Sequence, residues 1–120
     1  MKNPIIDLHC HSTISDGLLT PTELVNYAKE CHVKVMALTD HDDIAGLDEA
    51  RLAAKDSGIV FINGVEISVT WNKRTLHIVG LNFDKENDNL VNGLKEIRVG
   101  RDLRAKKMAH SLGMAGIMNA

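Results

Sequence analysis

Up to Phe83 the chain is a series of short apolar runs separated by polar and turn-forming residues. Residues 5–10 are apolar except for Asp7 and His9, and they read as a first strand. If that strand stays extended, Asp7, His9 and His11 share one side. Ser15-Asp16-Gly17 reads as a turn. Thr20-Pro21-Thr22-Glu23 is a strong helix start, with Thr20 as N-cap, Pro21 in the first helical position and Glu23 closing a capping box. Leu24, Ala28 and Cys31 recur at helical spacing and are expected to face the core. Residues 33–39 hold the unbroken apolar run Val35-Met36-Ala37-Leu38, the pattern of a strand buried on both faces. The run stops at Thr39-Asp40-His41-Asp42-Asp43. There Asp42 or Asp43 is placed to cap a helix over residues 44–56, which closes at Ser57-Gly58. Residues 59–62 form the next strand, which continues over 65–71 after Gly64. Asn72-Lys73 reads as a turn into an antiparallel strand over residues 75–83. From about Asp88 the period becomes helical through Leu90, Leu94, Ile97, Leu103, Met108 and Leu112, although Gly93 and Gly100 weaken it. Residues 113–120 have no partner segment.

The expected order is β-α-β-α-β-β-α. Alternating strands and helices imply an α/β protein with a parallel sheet, or the start of a barrel. In such folds the residues just after the strands line the rim where active sites form. His9, His11, Asp16 and His41 fit that place, and Glu66 and His77 reach it from the third and fourth strands.

Composition narrows the classes. The chain has 120 residues, 44% hydrophobic and 25% charged, which suits one folded domain with a core. A net charge of −2 gives no global field toward nucleic acid or anionic membrane, so polyanion binding must be local. The two cysteines, Cys10 and Cys31, exclude a disulfide scaffold or a four-cysteine zinc site and suit a reducing cytoplasm. The start of the chain has no apolar core of signal-peptide length, and no later stretch is long enough to cross a membrane. The expectation is a soluble cytoplasmic protein with no membrane partner.

Each candidate site residue has an ordinary alternative. In His9-Cys10-His11 both imidazoles can grip one ion, but two polar residues at a strand end are common. Asp16 before Gly17 is normal turn chemistry. The acids around His41 suit a helix N-terminus. Glu66 lies inside an apolar strand, where an unpaired carboxylate costs roughly several kcal/mol, so it must face water or be paired. His77 sits in a similar strand. His32 and His110 have no such context and read as surface or capping residues. Taken together, mixed histidine and carboxylate ligands suit zinc, manganese or iron rather than calcium. More than four ligands imply more than one ion. Clustered ions generate a nucleophile at neutral pH and clamp phosphate oxygens. No nucleophile elbow, P-loop or dinucleotide-binding glycine motif competes.

Four blocks carry a family resemblance: His9-Cys10-His11-Ser12-Thr13 with Ser15-Asp16-Gly17, Thr39-Asp40-His41-Asp42, Gly64-Val65-Glu66-Ile67-Ser68, and His77-Ile78-Val79-Gly80. They resemble the first motifs of the PHP (polymerase and histidinol phosphatase) family, closest to its ribonuclease AM branch, and the resemblance runs over roughly the whole chain. It implies the N-terminal portion of an irregular (β/α)7 barrel with up to three divalent metal ions, usually manganese, with zinc or iron as alternatives. By resemblance His9, His11 and Glu66 hold one ion, Glu66 bridges to a second that His77 also binds, and Asp16 and His41 hold a third. A metal-bound hydroxide would attack phosphorus. The implied substrates are RNA 5′ ends and 3′,5′-nucleotide bisphosphates, with histidinol phosphatase or a polymerase-associated module as alternatives within the family.

Family members are much longer than this chain, and their later part supplies another histidine ligand and a closing Asp-x-His pair. The expectation is therefore a fragment. A metal-binding module without turnover is the alternative of another class. Apolar surface at the incomplete barrel would favour self-association. Residues 88–120 would lead toward an inserted helical subdomain. There Lys95, Arg98, Arg101, Arg104, Lys106 and Lys107 outnumber Glu96 and Asp102. This is either a solvated helix face or a contact to substrate phosphates, with Arg98, Arg101 and Arg104 as the substrate-binding candidates.

Overall fold

Met36, Ala37 and Leu38 are almost completely buried, and the strand that carries them lies inside the sheet. The structure, a computed structural model, describes residues 3–116; the last residues of the expected unpartnered end, 117–120, lie outside them. The elements are β1 (Ile5–Asp7), α1 (Pro21–Glu30), β2 (Val33–Leu38), α2 (Leu47–Ser57), β3 (Val60–Trp71), β4 (Arg74–Leu81) and α3 (Asp88–Met114). The sheet order is β1-β2-β3-β4. The first three strands are parallel, with Ile5 beside Val33 and Val35 beside Val60, and β4 is antiparallel to β3. Parallel neighbours need crossovers, which α1 and α2 provide. Both helices cover the sheet through Val25, Leu47, Ala50 and Ala54, packed on Val33, Met36, Leu38 and Ile59.

α1 begins as its sequence dictates. The Glu23 amide donates to Thr20 Oγ1 at 3.2 Å, and the Thr20 amide donates to Glu23 Oε1 at 3.1 Å. Hydrogen bonding to the Glu23 carboxyl from the Thr20 amide first, and from the Thr20 hydroxyl second, holds it below its usual range. The buried positions are Pro21 and Val25, one helical turn apart, while Leu24 and Ala28 are partly buried against the core. Cys31, expected on the core face, is instead the exposed C-cap.

Further expectations are corrected. β1 ends at Asp7 rather than at residue 10, and Asp7 Oδ1 accepts the His9 amide at 3.1 Å just beyond it. α2 starts at Leu47 rather than at residue 44, with Gly46 as an N-cap that makes no side-chain bond. Neither expected acid caps it: Asp43 Oδ1 accepts the Ala45 amide at 2.9 Å, and Asp42 is turned toward β3. Residues 60–71 form one continuous strand through Gly64. β4 ends at Leu81 rather than at residue 83. Gly58 closes α2 in the left-handed conformation. Asn72 and Lys73, both at positive φ, make the hairpin turn. α3 is one 27-residue helix through Gly93 and Gly100, yet Leu94 is its only buried residue. Leu103 and Met108, expected on an apolar face, are 54% and 60% exposed.

Gly64 is required by packing. A Cβ there would lie 2.6 Å from the Leu38 carbonyl oxygen and 2.7 Å from Thr39 Cγ2. Gly64→Ala is therefore expected to destabilise the fold by about 1–3 kcal/mol, the usual cost of overpacking. An unchanged urea midpoint would contradict that close approach.

Candidate metal centre

β1, β2 and β3 run parallel, so the segments that follow β1 and β2 emerge at one rim of the sheet. Beyond Leu38 the chain stays beside β3. The Glu66 amide donates to the Asp40 carbonyl at 3.0 Å, and the Asp42 amide donates to the Glu66 carbonyl at 3.0 Å. This pairs His41 with Glu66 in an isolated parallel bridge, and paired residues point to the same face of a sheet. On the other side the Thr39 amide donates to the Cys10 carbonyl at 2.8 Å, and the Cys10 amide donates to Thr39 Oγ1 at 3.1 Å. Residues 9–11 therefore keep an extended course past the end of β1. The Cys10 thiol turns inward to the Ala37 carbonyl at 3.1 Å, and His9 and His11 turn outward together, with ring centroids 5.2 Å apart.

Asp16 is delivered by a loop held from beneath. The buried Asp40 carboxylate accepts the Ser12 amide at 2.7 Å, the Ser12 hydroxyl at 2.7 Å and the Ser15 hydroxyl at 2.6 Å. The Gly17 amide donates to the Ser12 carbonyl at 2.8 Å and closes the loop.

Glu66, whose side chain is 10% exposed, is the hub. Its Oε2 lies 3.0 Å from His11 Nε2, 3.2 Å from His9 Nε2 and 3.5 Å from His41 Nδ1. Its Oε1 faces His77 Nδ1 at 3.9 Å. Asp16 approaches His41 Nε2 at 3.1 Å and His11 Nδ1 at 3.5 Å. His11 and His41 stack with centroids 4.5 Å apart. Three groups of donor atoms, each within 4.8 Å of one another, result: His9, His11 and Glu66; His11, Asp16 and His41; His41, Glu66 and His77. His32 and His110 join none of them.

The chemistry of this donor set suits cations. His11 and His41 each direct both ring nitrogens at carboxylates, yet a neutral imidazole carries one N–H. The second nitrogen then presents a lone pair to a negative oxygen. His11 Nδ1 is buried and has no hydrogen-bond partner, although Asp16 is near. A divalent ion between the two groups removes the conflict. Ligands about 2.0–2.2 Å from one ion lie about 3.0–3.5 Å from each other, the spacing found around Glu66 Oε2.

Of the expected substrate residues, Arg98 Nη1 donates to the Asp42 carbonyl at 2.8 Å and Arg101 Nη1 to Asp42 Oδ2 at 3.0 Å. Arg104 lines a cleft of about 750 Å³ together with His41, Ser68, Thr70, Thr75 and His77. Sequence reasoning missed the supporting roles of Asp40 and Asp42, which it read as helix-cap chemistry. The available signal was acids directly after a buried strand, with serines at 12 and 15 to receive one of them.

A model of the PHP domain family matches residues 7–109. The chain is 54% identical over 114 residues to a 5′-3′ exoribonuclease of Haemophilus influenzae, covering 95% of this chain and 42% of that protein. It is 54% identical over 112 residues to a 3′,5′-nucleoside bisphosphate phosphatase of Chromobacterium violaceum, covering 93% and 39%. A solved structure of an amidohydrolase from Chromobacterium violaceum, with bound sulfate and no metal, superposes with a TM-score of 0.86 at 54% identity over 93% of this chain and 39% of that one. The chain thus spans less than half the length of these relatives.

Cys10 provides a check on the packing beneath the centre. Burial first, then the charges of Asp7 and Asp40, push its thiol up to about 12. A thiol needs its thiolate to react, so iodoacetamide at about pH 8 is expected to modify exposed Cys31 and to reach Cys10 only on unfolding. Equal labelling of both in the folded protein would contradict the arrangement.

Proposed function

The chain belongs to the PHP domain family and has the α/β fold of the N-terminal portion of its barrel, and from that premise we propose that the Glu66 cluster is a divalent-metal centre for hydrolysis of nucleotide phosphates or RNA 5′ ends. The observation that carries this reading is the convergence of His9, His11, Asp16, His41 and His77 on one buried carboxylate and on each other. His9, His11 and Glu66 would hold one ion, His41, Glu66 and His77 a second, and Asp16 with His41 and His11 a third. Manganese fits the mixed nitrogen and oxygen donors, and zinc or iron would fit the same set. Bound there, the ions supply a nucleophilic oxygen at neutral pH and neutralise charge on the phosphoryl group.

The chain's own residues do the positioning. The two oxygens of Glu66 face different histidines, which suits a carboxylate that bridges two ions. Asp40 and Asp42 fix the segments that carry Asp16 and His41. The cleft beside His41 and His77, about 750 Å³, has the size of a small-molecule site. Ser68, Thr70 and Thr75 offer polar groups along it, and Arg104 offers a cation for a phosphate. The names of the Haemophilus and Chromobacterium relatives support nucleotide and RNA-end substrates, and the sulfate in the solved relative has the shape and charge of a phosphate.

Two subsidiary readings go with this proposal. Free Cys10 and Cys31 favour a reducing, cytoplasmic setting, and no helix of the described residues is long and apolar enough to cross a membrane. β4 is an edge strand with Leu76, Ile78 and Leu81 exposed, a surface that favours self-association.

Protein purified without chelator is expected to contain manganese or a related ion by elemental analysis. Glu66→Gln and His9→Ala should each lower the bound metal at least about tenfold, as expected for ligand loss, while His32→Ala should not. Equal metal in all variants would contradict the assignment. Manganese-dependent phosphate release from a 3′,5′-bisphosphonucleotide on the same sample separates a phosphoesterase from a metal-binding module: metal without turnover selects the second reading.

A further inference from the structure

Asp42 stands between the cluster and α3. Its side chain is wholly buried, and its backbone lies in the left-handed region with φ of 53°. All of its polar atoms are engaged. The amide donates to the Glu66 carbonyl at 3.0 Å, and Oδ1 accepts the Ser68 amide at 2.6 Å. Oδ2 accepts Arg101 Nη1 at 3.0 Å, and the carbonyl accepts Arg98 Nη1 at 2.8 Å. The first two bonds grip β3 around Glu66, and the last two grip α3. His41 immediately precedes Asp42, so a single residue ties two candidate ligands to a distant helix.

α3 has little else to hold it. Of its 27 residues Leu94 alone is buried. Outside the local helix backbone, no heavy atom lies within 4 Å of where a Cβ would stand on Gly93 or Gly100, and glycine gives a helix no rigidity. Yet Ile97, Gly100, Arg101 and Arg104 form one wall of the cleft beside His41 and His77. An element held by few contacts is the kind that moves when those contacts change.

We infer that Arg101, assisted by Arg98, is a positioning residue: it acts through Asp42 on the spacing of His41 and Glu66, and ion binding at the cluster in turn fixes α3 as a wall of the cleft. This rests on the metal-centre reading above. Among the described residues Arg101 is the cation paired with the Asp42 carboxylate, and the pair joins a fully buried acid to an arginine side chain 43% exposed. Without Arg101 the buried carboxylate keeps only the Ser68 amide, and of the two contacts from α3 to the left-handed turn only that of Arg98 with the Asp42 carbonyl remains. Metal sites tolerate ligand displacements of only about 0.5 Å, so loosening this turn weakens ion binding. Linkage makes the effect reciprocal. If the Arg101–Asp42 contact tightens metal binding by some factor, metal tightens the docking of α3 by the same factor.

The test combines manganese titration with hydrogen exchange, using Mn²⁺ alone as the probe, on wild type, R101A, R101K, E66Q and K95A. In wild type, Mn²⁺ should slow amide exchange along α3 from Leu94 to Arg104, although α3 supplies no ligand. R101A should bind Mn²⁺ about tenfold more weakly, the lower end of what loss of a supporting partner costs, and α3 should lose its metal-dependent protection. R101K should recover part of both, because an ammonium restores the charge but not the guanidinium geometry. K95A changes an exposed lysine of the same helix and should behave as wild type. Should R101A fail to fold by circular dichroism, R101Q carries the same comparison. Wild-type affinity and wild-type protection of α3 in the folded Arg101 variant would overturn the inference and leave the metal centre standing. Wild type that binds no more Mn²⁺ than E66Q would overturn the metal centre and the inference together.

Discussion

Glu66 holds a carboxylate 10% exposed within a 12-residue strand, where an unpaired charge costs roughly several kcal/mol. Such a group is kept only if positive charge or donors surround it. Here the company is imidazole: His9 and His11 from the segment after β1, His41 from the segment after β2, and His77 from β4. Every part of the fold that brings these four together follows from two facts. Parallel strands end at one rim, and β3 continues past its parallel partners to pair with a hairpin strand. The hydrophobic core beneath, built by α1 and α2 on β2, fixes the sheet from which these side chains project.

Around the ligands lies a second set of acids that touch no candidate ion. Asp40 gathers Ser12 and Ser15 and so sets Asp16. Asp42 joins β3 to α3. The two acids flank His41 and point to opposite sides of it, one toward the first loop and one toward the last helix. A cluster assembled from separated stretches of chain needs such ties, because outer-shell partners hold the side chains in position.

Much of this was legible in the sequence, and what was not has a physical reason. Local chemistry read well. The Thr20–Glu23 capping box, the Asn72-Lys73 turn and the αL glycine at 58 each depend on neighbours a few residues away. The candidate cluster was legible because His9, His11, Asp16 and His41 fall after strands while Glu66 and His77 interrupt apolar ones, and the fold brings these side chains close together. The start of α2 misled because Asp42 looks like an N-cap, and only Ser68, Glu66 and Arg101, far along the chain, decide that it is not one. Cys31 and Val25 fit the same helical period to different faces, and only the packed sheet selects Val25. The apolar positions of α3 predicted a buried face, but Leu94 alone meets the rest of the chain closely enough to be buried.

The central claim is that the Glu66 cluster is built around divalent ions. Anomalous diffraction at the manganese edge, from crystals equilibrated with Mn²⁺, tests it most directly. The account predicts peaks about 2.0–2.3 Å from Glu66 and from His9, His11, His41 or His77, the distance of a coordination bond to carboxylate and imidazole. Strong manganese peaks elsewhere with none beside Glu66, or none at all at saturating metal, would contradict it.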